Sequence, residues 1–111
     1  MAYDEFLADR VRTLLRDRAT ATEKRMFGGL AFLVGGHMAV AASREGGLLV
    51  RIDPAEGDAL RALPGTRPMV KQGREMDGWL RVDSDAVDED AGLIEWVDRS
   101  LAYVRTLPPK R

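Results

Sequence analysis

Arg25-Met26-Phe27-Gly28-Gly29-Leu30-Ala31-Phe32-Leu33-Val34 is the longest apolar run in the chain, and one Gly pair interrupts it. The segment Leu30 to Val34 is far too short to span a membrane and has the length of a buried strand. Side chains alternate across a strand, so Leu30, Phe32 and Val34 share one face, and Ala31 and Leu33 the other. Both faces are apolar. The segment therefore reads as a central strand with little exposure on either side. Gly28 and Gly29 mark a bulge, a tight turn or a close backbone approach.

Strand signals continue outward from this run. Thr22 to Phe27 reads as a strand whose Glu23, Lys24 and Arg25 suit a sheet edge. Gly35-Gly36 fits a two-residue hairpin turn, because Gly accepts positive φ. His37 to Ala42 returns as a strand. After the loop Ser43 to Gly46 comes Gly47 to Ile52, with Leu48, Val50 and Ile52 on one face and Leu49 and Arg51 on the other. Pro68 to Lys71 reads as a short edge strand, since Pro68 cannot donate to a central ladder. Gln72 to Gly78 reads as a polar loop, and Trp79 to Val82 as a further strand with Trp79 and Arg81 on one face.

Helical periodicity brackets these strands. Asp4 to Arg18 places Phe6, Leu7, Val11, Leu14 and Leu15 on one stripe, with Asp4 as N-cap. Asp53-Pro54 opens a short helix to about Leu63, with Ala55, Ala59, Leu60 and Leu63 as its apolar side and Pro64-Gly65 as its stop. The last helix has the strongest pattern. Leu93, Ile94, Trp96, Val97, Leu101, Tyr103, Val104 and Leu107 fill half its circumference, and only Ser100 is out of place there. Asp88, Glu89 and Asp90 favour its positive end, and Pro108-Pro109 ends it. Strands joined by short turns, with helices before and after, predict an α+β fold: an antiparallel meander packed with N- and C-terminal helices as a two-layer sandwich.

The chain has 111 residues, which suits a single domain over 1–111 with its core at about 6–108. Cysteine is absent, which excludes disulfides, thiolate metal sites and Cys nucleophiles. The N-terminus has no basic, apolar leader pattern, so the expectation is a soluble, cytoplasmic protein away from membranes. Lys and Arg number 17 against 18 Asp and Glu, so no overall field draws the chain to nucleic acid.

Motifs that carry chemistry are incomplete. Arg25 to Phe32 partly matches an RNA-binding signature, but Gly29 stands where a stacking aromatic is needed. Gly73 to Gly78 has P-loop glycine spacing, but Trp79-Leu80 follows in place of Lys-Ser/Thr. Asp83, Asp85, Asp88, Glu89 and Asp90 fail the calcium-loop positions for Gly and the terminal Glu. His37 is the sole histidine and follows a turn, so it reads as an exposed residue. No catalytic, cofactor or metal residues are therefore assigned. The basic residues Lys24, Arg25, Arg51, Lys71, Arg74 and Arg81, with Phe27 among them, form the candidate binding surface; Arg44 belongs to the same basic set.

Thr22 to Phe32, the hairpin into His37-Met38, Leu49-Val50-Arg51 and Gly78-Trp79-Leu80-Arg81-Val82 together resemble the N-terminal domain of the TfoX/Sxy competence regulators. The resemblance covers about Phe6 to Pro108. It implies a small α+β domain with an antiparallel sheet, here standing alone. Full-length members carry a helical C-terminal domain and regulate DNA-uptake genes in bacteria. The resemblance brings no catalytic residues. The expected function is a regulatory or adaptor-like binding module, monomeric or homodimeric, acting through a protein partner without a cofactor. Two alternatives stand beside it: a nucleic-acid-binding regulator using a basic sheet face, and a small enzyme or ligand-binding protein.

Overall fold

The computed structural model describes residues 3–26 and 28–109. Among these, helix α1 (Glu5–Arg16) is followed by strands β1 (Ala21–Met26), β2 (Gly29–Val34), β3 (His37–Ala42) and β4 (Leu48–Arg51). A 3-10 turn leads into α2 (Gly57–Arg61), then β5 (Thr66–Lys71), β6 (Arg74–Val82), a second 3-10 turn and α3 (Asp90–Val104). The strands form one antiparallel sheet in the order β1-β2-β3-β4-β6-β5. The expected α+β sandwich is present, with one departure from a plain meander: β4 pairs with β6, which leaves Pro68-bearing β5 at the edge. An edge is where a strand Pro is tolerated.

One face of the sheet carries α1 and α3, the latter lying over β3 and β4. Leu30, Phe32, Val40, Leu48, Val50, Ile52, Leu80 and Val82 pack there against Leu7, Val11, Leu15, Leu93, Trp96, Val97, Leu101 and Val104. Ser100 sits fully buried within this layer, and its hydroxyl donates to the Ala39 carbonyl at 2.8 Å. That bond satisfies the one polar group on the apolar half of α3. Ala39 is also where the β2–β3 register shifts: Phe32 faces Val40, but Leu33 faces Met38. Such a bulge leaves one residue outside the ladder, and Ser100 takes its carbonyl.

The Gly28-Gly29 pair behaves as expected. Gly28 has φ 79°, and a Cβ on Gly29 would stand 2.4 Å from the Ala42 carbonyl oxygen. Gly35 and Gly36 turn the β2–β3 hairpin with φ 60° and 82°.

Four local expectations are corrected. Phe6 leaves the α1 stripe and is 74% exposed, while Ala8 takes the buried position. His37 is buried, because the chain after α3 passes over it and its Nε2–H donates to the Pro108 carbonyl at 2.6 Å. Gln72 to Gly78 is largely strand: Gln72-Gly73, both at positive φ, make a two-residue turn, and β6 begins at Arg74. Its first residues are polar because this hairpin tip is exposed. In the α2 region only Leu60 of the expected apolar side is buried; Ala55, Ala59 and Leu63 are exposed. Among the described residues no helix is long and apolar enough to cross a membrane.

Candidate functional site: a methionine-lined groove on the helix-free face

The register places Lys24 opposite Ala31, Ala31 opposite Ala41, Ala41 opposite Leu49, and Leu49 opposite Arg81. These residues share the face of the sheet away from α1 and α3. A sheet face without helices is ordinarily wet and polar. Here Ala31 is 1% exposed and Ala41 7%. Met26, Leu33, Met38, Met69 and Trp79 pack around them as a second apolar cluster, separate from the main core.

The cover comes from long side chains on several strands. Met26 lies on β1 and Met69 on β5, the two outermost strands, and both line the same cavity. That cavity is an open trough of about 410 Å³, floored by Ala31, Ala41 and Leu49 and walled by Met26, Met38 and Met69. Three of the chain's five methionines face this one space.

The trough is polar at one end, where the β3–β4 loop meets β6. Arg81 donates to the Ser43 hydroxyl at 3.1 Å and pairs with Glu45 at 2.9 Å. The Glu45 amide donates to the same hydroxyl at 3.2 Å, which fixes the loop. Arg44 completes this end. Its aliphatic stem lies against Gly28, where an added Cβ would stand 2.6 Å from the Arg44 Cδ. The Gly pair thus serves the groove twice: Gly28 leaves room for the arginine, and Gly29 forms part of the lining.

The basic residues expected to form a binding surface are placed in different environments. Arg81 lines the groove, and Lys24 shares its face of the sheet. Arg25 pairs with Leu30 and falls on the helix-bearing side. Arg51, opposite Trp79 on the same face, ends β4 with its guanidinium 5.2 Å from the Trp79 ring centre and 5.9 Å from that of Tyr103. Lys71 and Arg74 flank the β5–β6 turn, among Glu75 and Asp77. Phe27 lies outside the described residues. Met26, Met38, Met69 and Ala41 were missed as site residues. The signal was the apolar second face of β2, which could not by itself show that no helix covers it.

A family model, the TfoX N-terminal domain, matches residues 13–104. That span holds every strand, α2, α3 and the whole groove. The chain belongs to the TfoX N-terminal domain family. The resemblance read from the Met26-to-Gly29 and Gly78-Trp79 pieces is thereby shown, and the module is of the competence-regulatory type. No curated protein matches the chain. In this TfoX-type domain the Gly28-Gly29 pair joins the edge strand to the floor of the groove.

Proposed function

We propose that this domain is a regulatory binding module that engages a protein partner through the methionine-lined groove. The observation that carries this reading is the convergence of Met26, Met38 and Met69 from three strands on one open, apolar trough. Methionine is unbranched and polarisable, and surfaces built from it adapt to varied apolar side chains. A trough that crosses the sheet from edge to edge suits a length of polypeptide. Arg25 lies on the other side of the sheet and Lys71 and Arg74 sit at the β5–β6 turn among carboxylates, which speaks against a nucleic-acid face that needs its cations together.

A second reading has its own support. The groove volume falls in the range of small-molecule sites, and Arg81 and Glu45 converge at its end. A small amphiphilic ligand would use the same walls.

Site-specific photocrosslinking in cells separates the two. A photoreactive residue at Met38 or Met69 should give discrete protein adducts, whereas one at Thr13 on the outer side of α1 should not. Adducts from Thr13 alone, or none at the groove positions, would overturn the partner reading.

A further inference from the structure

The charges around the groove specify what kind of segment fits it. Among the described residues Glu45 is the single acidic one lining the trough, and Arg81 already pairs with it at 2.9 Å. Arg44, at the same end, has no ion-pair partner among the described residues. Its aliphatic stem runs beside Gly28, which brings the guanidinium to the rim of the groove. Lys24 stands on the same sheet face, exposed, and has no ion-pair partner among the described residues either. Arg44, Arg81 and Lys24 against Glu45 give the groove and its β1 border an excess of about two positive charges, and Arg51, opposite Trp79, adds a cation on the same face, although the whole chain carries -1. Local complementarity of this sort selects partners and speeds their encounter.

Resting on the partner reading above, we propose that the occupant is an acidic amphipathic segment of another protein. Its large apolar side chain enters the space between Met26, Met38 and Met69. A carboxylate of the same segment meets the Arg44 guanidinium at the polar end. Glu45 acts as a built-in competitor, holding Arg81 so that Arg44 is the open cation at the polar end.

Selection of a random peptide library on the full chain tests this. The expected consensus pairs Leu, Phe or Trp with a nearby Asp or Glu. Arg44→Ala should weaken a selected peptide about fivefold at low salt, the range of an exposed ion pair, and the difference should shrink as salt rises. Arg44→Glu should shift the selected charge from acidic to basic, and Glu45→Gln should tighten acidic peptides by freeing Arg81. Met69→Asp, on an edge strand, should abolish selection while leaving the thermal melt intact. An apolar consensus indifferent to charge and to Arg44→Glu would overturn the acidic-segment proposal and leave the groove reading standing. Selection unaffected by Met69→Asp, or decanoate binding where no peptide binds, would overturn both.

Discussion

Gly29 shows how one residue type can be fixed by a neighbour's backbone. Any side chain there would press on the Ala42 carbonyl at 2.4 Å and part β2 from β3 at the groove floor. Gly29→Ala should cost about 1–3 kcal/mol, the range for overpacking a tight site, measured by urea denaturation. A loss below half that range would mean β2 and β3 can separate locally without strain. Gly28 differs, since its neighbour is the flexible Arg44 stem and its constraint is the positive φ. At this scale the sequence was readable where backbone geometry demanded Gly. It was unreadable where contact depended on distant chain. His37 looked like a turn residue because nothing nearby in sequence announces that Pro108 will cover it.

Between elements, α1 is tied to β1 by charge. Arg12 grips Glu23 with both nitrogens, Nε at 2.5 Å and Nη2 at 2.9 Å, while also meeting Asp9. The hydrogen bond from Arg12 holds the Glu23 carboxyl below its ordinary pKa, and partial burial opposes this. A depressed carboxylate pKa contributes stability that is present above the unfolded value, near about 4.3, and lost as pH falls through the folded one. Glu23→Gln should therefore lower stability by roughly 0.3–1 kcal/mol at neutral pH, a range already discounted for solvent screening. The gap from the parent should close as the solution is acidified below about pH 4. A gap independent of pH in chemical denaturation would show that packing, not charge, is lost. The elements themselves were legible because periodicity distinguished α1 and α3 from the strands. Phe6 was misassigned because it sits at the margin of the stripe, in the first turn of α1. There it borders an open groove with Leu14, Leu93 and Ile94 rather than the sheet. Gln72 to Asp77 was misassigned because strand polarity reports exposure, and an exposed hairpin tip reads like a loop.

The molecule as a whole has two apolar layers of unequal character. The first lies between the sheet and α1 and α3, and Trp96 belongs to it at 6% exposure. Trp96→Ala should cost about 3–5 kcal/mol in urea titration, the usual range for a buried large aromatic. A loss under half a kilocalorie would place Trp96 outside the cooperative core. The second layer is the helix-free face, whose walls are three methionines and whose interior is open. The apolar alternation of β2 foretold two buried faces, but the groove is assembled from side chains of several strands and no single strand encodes it. Methionine-methyl NMR of the full chain in native cell extract tests the central claim most directly, because Met76 on the exposed β5–β6 hairpin serves as an internal control. The Met26, Met38 and Met69 signals should shift or broaden while Met76 stays in place; unmoved groove signals, or a response at Met76 alone, would show that the groove takes no partner.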